Sequence, residues 1–159
     1  MKARGFTYLA ILIAIAMMSA VMGVTLDVWH TAQLREKERE LLFVGEQFRQ
    51  AIGRYYLATP GREKKFPASL DELLEDTRLS GVQRYLRRIY RDPTTGVAEW
   101  GLVRGAHGEI MGVHSLSEAR PVKAANFDPD EADFADARQY ADWLFVYRPT
   151  LTPTVRSTP

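Results

Sequence analysis

Residues 6–26 read FTYLAILIAIAMMSAVMGVTL, twenty-one consecutive positions without Asp, Glu, Lys, Arg or His. Only MKARG precedes them, and it holds Lys2 and Arg4. At about 1.5 Å of rise per residue the run makes a helix of roughly 31 Å, the depth of a bilayer's hydrocarbon core. The two leading cations hold the N-terminus in the cytoplasm, so the chain beyond residue 26 faces outward. A cleaved secretory signal has a shorter apolar region and a small-x-small cleavage site. Here the run is longer, and only Val21/Gly23 approximates such a site. A plain signal anchor fits the hydropathy as well.

Beyond Leu26 no strong helix breaker occurs before Pro60. Trp29 suits the membrane interface. Leu34, Leu41, Leu42, Phe48, Ile52, Tyr55 and Tyr56 recur at steps of three, four and seven, an amphipathic stripe. Residues 35–40 (REKERE) form a solvated charged face between them. A single helix over 6–57 would run roughly 78 Å at about 1.5 Å per residue. The expected division is a leader over 1–5, a transmembrane helix over 6–26 and its amphipathic continuation over 27–58. A body over 59–147 and a loose tail over 148–159 complete it.

Across all 159 residues the charges balance, with 21 basic and 20 acidic side chains and a net charge of +1. With Lys2 and Arg4 set aside, 19 basic and 20 acidic groups remain in residues 27–159. This describes a greasy anchor joined to a balanced, water-soluble body. The absence of cysteine excludes disulfide scaffolds, zinc-thiolate sites and cysteine hydrolases.

Thr59-Pro60-Gly61 stops the helix, and Ser69 with Glu72 three residues on makes a capping box that opens a short helix. Val82, Tyr85, Leu86 and Ile89 have helical spacing, and residues 92–96 (DPTTG) make a turn. Residues 98–103 and 109–114 are strand-like runs joined by the Gly-rich hairpin 104–108. Residues 128–137 are a short acidic helix or loop, and 142–147 (DWLFVY) a last strand. The fold class expected is α+β: one long N-terminal helix, membrane-spanning in its first half, packed against an antiparallel sheet of three or four strands.

The short basic leader ending in Gly5, followed by Phe6-Thr7 and an unbroken apolar helix, resembles the type IV prepilin methylation signal. Residues 66–74 (FPASLDELL) and the sequence Arg-Asp-Pro-x-Thr-Gly, Trp-Gly-Leu, Gly-x-x-Gly-Val-x-Ser are similar to stretches of the pseudopilins of type II secretion. The resemblance implies a pilin-like fold. It implies cleavage after Gly5 by a prepilin peptidase and methylation of Phe6. The product would be a structural subunit in the bacterial inner membrane, with its body in the periplasm, and no enzyme. The implied partners are other pseudopilins, an inner-membrane assembly platform and membrane lipid. A minor type IV pilin serving adhesion, motility or DNA uptake is the neighbouring possibility.

Ala10 stands where most of that family has a glutamate thought to set the stagger of assembly. Burying such a charge in lipid is costly unless it is paired. Its absence leaves three readings open: a tip subunit, a register set by packing alone, or a tethered periplasmic binding module that never polymerises. Ala10/Ala14, Ala16/Ala20 and Ser19/Gly23 are small-xxx-small pairs that allow close helix approach, although small residues are common in membrane helices.

Other constellations carry less. His30, His107 and His114 form no cluster, and Ser115 beside His114 lacks a nucleophile elbow. Gly105-x-x-Gly108 has no Lys-Ser/Thr after it and reads as a hairpin, not a phosphate loop. In the resembled family a calcium ion often sits between the last strands, but residues 113–123 offer only Glu118. Asn126, Asp128, Asp130 and Asp133 place oxygen ligands at alternating positions, as a hard cation prefers, yet Pro129 interrupts them and the glycine and terminal glutamate of an EF-hand are missing. No cofactor is expected, calcium being the one ion these residues suggest. The arginines over 78–91 make a basic patch without interleaved exposed aromatics, and the acidic segment 128–142 is available to neutralise it, so no nucleic acid is expected as partner.

Overall fold

The computed structural model describes residues 4–61, 63–78 and 81–149, with residues 4–5 and 19–28 described by backbone alone. One helix, α1, runs Arg4–Ala58. It divides between two compact units, residues 1–37 and residues 38–159. In the first unit the side chains of residues 6–18 and 29–33 are all exposed. In the second, Leu41, Val44, Phe48, Ala51, Ile52 and Tyr55 are buried along one face. Steps of three and four put these residues on one stripe, so the stripe read from the sequence is the one that packs.

The C-terminal end of α1 leaves carbonyls without intrahelical donors. Side chains fill the gap. Thr59 Oγ1 donates to the Tyr55 carbonyl (3.2 Å), Lys64 Nζ donates to those of Leu57 (2.9 Å) and Thr59 (2.8 Å), and Arg78 Nη2 adds a bond to Tyr55 (3.2 Å).

Three strands cover the stripe: β1 (Gly101–Arg104), β2 (Ile110–His114) and β3 (Phe145–Val146), antiparallel in the order β1-β2-β3. Leu102 faces Val113 across β1/β2, a register shift follows between Val103 and Arg104, and Val113 faces Phe145 across β2/β3. The sheet therefore has the strand count and the antiparallel sense expected. Phe48 packs at the β1 edge, with ring centroids 5.1 Å from Trp100, the residue before β1, and 6.2 Å from Tyr90.

Four local expectations are corrected. Residues 82–89 form no helix, because the amides of Tyr85 and Leu86 bond to the Leu73 carbonyl (2.9 Å each) and Gln83 bridges to Asp76. Of the four helically spaced residues only Leu86 is fully buried. The Ser69/Glu72 box does not cap a helix: Asp71–Leu73 is one 3-10 turn begun by Leu70, and the Glu72 carboxylate accepts from the Ala68 amide (3.3 Å) and the Tyr55 hydroxyl. The last strand is shorter than 142–147, since Tyr140–Asp142 is itself a 3-10 turn. Glu38 is not part of a solvated face; it is 2% exposed. The acidic segment is a 3-10 helix, Pro129–Asp136. Of the expected tail, residues 150–159 lie outside the described residues.

Two glycines set how closely α1 meets β3. A Cβ at Gly45 would run into the Phe145 ring, and one at Gly53 would come within 2.7 Å of the Tyr147 ring. Alanine is intrinsically the better helix former by about 1 kcal/mol. Gly45→Ala is nevertheless expected to lower the unfolding midpoint of the full-length protein in detergent, because a buried ring has little room to retreat. A raised midpoint would show that Phe145 moves aside freely.

Candidate anchoring and assembly helix

The exposed half of α1 is apolar on every side. Phe6 is 75% exposed, and Tyr8, Leu9, Ile11, Leu12, Ile13, Ile15, Met17 and Met18 are all exposed with it. A helix apolar all round is stable when something other than water surrounds it. Ala10, Ala14 and Ala16 are exposed among these large side chains. At about 100° of turn per residue, Ala10 and Ala14 share a face while Ala16 lies about 120° from Ala10 and about 160° from Ala14 round the axis. The helix thus offers small residues in two directions. Of Gly5, Ala20 and Gly23 only the backbone helix is described; their surroundings lie outside the described residues, as do those of Ser19. Among the described residues, no helix is long and apolar enough to cross a membrane.

In the body, three buried carboxylates hold the irregular segments. Glu38 Oε1 accepts from the amides of Val122 and Lys123 (3.0 Å for the latter) and from the Tyr140 hydroxyl (3.1 Å). Burial, with the Glu38 charge beside it, pushes the Tyr140 phenol up to about 12. The sequence did signal this residue: Glu38 falls four after Leu34 and three before Leu41, on the stripe and not opposite it. Asp76, 1% exposed, accepts from Arg78 Nε (2.8 Å) and Nη2 (2.7 Å) and from the Tyr85 hydroxyl (3.0 Å). The Arg78 guanidinium also lies 3.4 Å from the Tyr55 ring centroid and donates to Thr59 Oγ1 (2.8 Å). These bonds hold the Asp76 carboxyl down at about 2. Arg78 is accordingly committed to the end of α1 and leaves the basic patch.

Asp92, fully buried, accepts from the Thr94 amide (2.8 Å) and hydroxyl (2.6 Å) and from the Ser115 hydroxyl (2.6 Å). Ser115 is itself buried and accepts from the Ser117 amide (3.0 Å). His114 Nδ1 lies 2.8 Å from the Ser115 carbonyl oxygen, not its hydroxyl, so Ser115, His114 and Asp92 do not form a Ser-His-Asp relay. The DPTTG turn is thereby fastened to the strand end it follows in space.

Asp128, Asp130 and Asp133 are exposed. Asp130 and Asp133 approach Arg49 (4.0 Å) and Arg148 (3.6 Å). Among the described residues no group of three or more His, Cys, Asp or Glu is placed to hold a metal ion. A groove of about 670 Å³ between α1 and the Pro129–Asp136 helix is lined by Arg49, Arg54 and Arg148 against Glu46, Asp130 and Asp133. That alternation presents no field of one sign to a charged small molecule. Burial pushes the Glu131 carboxyl up. No protein-family model matches the chain, nor does any curated protein or solved structure.

Substitutions at two positions test the carboxylate clamps. Glu38→Ala strands three donors and should cost about 3 kcal/mol in denaturant unfolding, with Glu38→Gln losing less because it keeps an acceptor. Asp76 is lowered in the folded state, so its contribution is present above about pH 4 and lost as pH falls towards 2. It amounts to about 2 kcal/mol, and Asp76→Asn should both remove it and flatten stability between pH 4 and 2.

Proposed function

We propose that this chain is a pilin-like structural subunit, a pseudopilin of a type II secretion or related type IV filament system. The observation that carries the proposal is the two-part character of α1. Its first part is apolar and exposed all round, and its continuation from Leu41 to Tyr55 carries a single buried stripe under a small sheet. The charge-free run over residues 6–26 supports a membrane span, with Lys2 and Arg4 on the cytoplasmic side. On this reading a prepilin peptidase cuts after Gly5, Phe6 becomes the methylated terminus, and the span stores the subunit in the bacterial inner membrane. Assembly then packs α1 helices side by side, with Ala10, Ala14, Ala16, Ala20 and Gly23 allowing close approach. The work is mechanical and serves protein secretion, and the subunit needs no cofactor.

Ala10 favours a second reading. Without the family's glutamate, a tip subunit and a tethered periplasmic module that stays monomeric stand beside a filament subunit whose register is set by packing alone. Mass spectrometry of the membrane-extracted protein tests the processing: a chain beginning at N-methyl-Phe6 is expected, and a start at Met1 or near Val24 overturns the proposal. Disulfide cross-linking of an Ala14→Cys variant separates the two readings. Dimers through the helix are expected of a filament subunit, and monomer alone is expected of the tethered module.

A further inference from the structure

Two oppositely charged segments of the body flank opposite edges of the sheet. Residues 84–91 carry Arg84, Arg87, Arg88 and Arg91, all exposed, and no acid. Trp100, which leads into β1, donates its indole N–H to the Tyr90 carbonyl (2.8 Å) and so seats this segment beside β1. The Pro129–Asp136 helix, with Asp128 before it, carries the exposed Asp128, Asp130, Asp133 and Asp136 and no base. Phe134 packs edge-on against Phe145 of β3 (5.2 Å), and Arg49 donates to the Asp130 carbonyl (3.1 Å), which seats this helix beside β3. With β2 between them, the two segments do not meet. Among the described residues no ion pair joins them, and Asp130 and Asp133 stay 84% and 82% exposed beside Arg49 and Arg148.

From this we infer that the arginine segment 84–91 of one chain docks on the aspartate segment 128–136 of a second copy, an edge-to-edge contact between neighbouring bodies. The occupant follows from complementarity: four exposed cations on one edge answer four exposed anions on the other, whereas a lipid surface or nucleic acid would leave the anionic edge without a role. The two patches differ, so the contact is heterologous. Each chain keeps one free patch of each sign, and the arrangement propagates instead of closing as a two-fold dimer. The inference rests on the filament reading above and adds to it a second point of contact, carried by the bodies and sensitive to ionic strength.

The test uses the full-length chain in its own host. One version carries Gln83→Cys and another Ala135→Cys, both at exposed neutral positions beside the patches, in a protein with no cysteine of its own. Co-expression with distinguishable tags is expected to give mixed 83–135 dimers under mild oxidation, with neither version cross-linking to itself. Arg87→Glu with Arg88→Glu in the first version should lower the yield about tenfold or more, since like charges then face each other. Asp133→Arg with Asp136→Arg in the second should restore it, which a merely misfolded variant would not allow. Absence of mixed dimers while Ala14→Cys chains still cross-link overturns this contact and leaves the filament reading standing. Absence of both overturns the two together. Dimers that survive the single reversal, or that form between two Gln83→Cys chains, overturn the inference as well.

Discussion

The distance at which α1 passes over β3 governs the arrangement of the body. Gly45 and Gly53 remove the side chains that would hold the helix off, so the rings of Phe145 and Tyr147 lie directly against its backbone. From the same helix Phe48 reaches Trp100 and Tyr90. The contact with β3 fixes Phe145 where Phe134 can pack on it. Phe134 in turn stacks on Trp143, with ring centroids 5.5 Å apart and planes 13° from parallel. A sheet of three short strands buries little area by itself. The α1 stripe, together with Trp100, Phe134, Tyr140 and Trp143 on the flanks of the sheet, supplies most of the remaining core.

Most of the body is irregular, and irregular backbone must find partners for its amides away from regular ladders. Glu38, Asp76 and Asp92 meet that need at three places. Each carboxylate is buried and accepts three or more hydrogen bonds, and each fastens segments distant in sequence. Glu38 ties α1 to residues 122–123 and Tyr140, Asp76 ties residues 76–78 to Tyr85, and Asp92 ties the turn at 92–96 to Ser115. Polar residues that a sequence presents as chemistry are here consumed in holding loops. Arg78 and Ser115 are the clearest cases, one absorbed by the end of α1 and the other by Asp92.

What remains unconsumed lies elsewhere: the exposed apolar helix over residues 6–18 and the two charged edges of the sheet. On the proposed reading these have complementary tasks. Helix contacts in lipid depend on close packing of small residues and are indifferent to salt. Contacts between the charged edges act over about a Debye length and orient neighbouring bodies. On that same reading, a glutamate at position 10 would have guided the helix electrostatically, and in its absence the charged edges would supply a guide at another level.

The sequence by itself determined the long helix, its change of character after residue 26, the hairpin 104–108 and the antiparallel sheet. These depend on local periodicity and on glycine and proline placement, which are written residue by residue. The buried stripe was legible for the same reason. Only the tertiary structure decided that residues 82–89 form no helix, since the Leu73 carbonyl that takes the amides of Tyr85 and Leu86 lies about a dozen residues earlier. It alone gave Glu38 its three donors, retired Arg78 from the basic patch and made Asp92 a staple for Ser115. Each of those outcomes rests on a partner that periodicity does not reveal, because the hydrogen bonds of a buried carboxylate are settled by which loops pack against it.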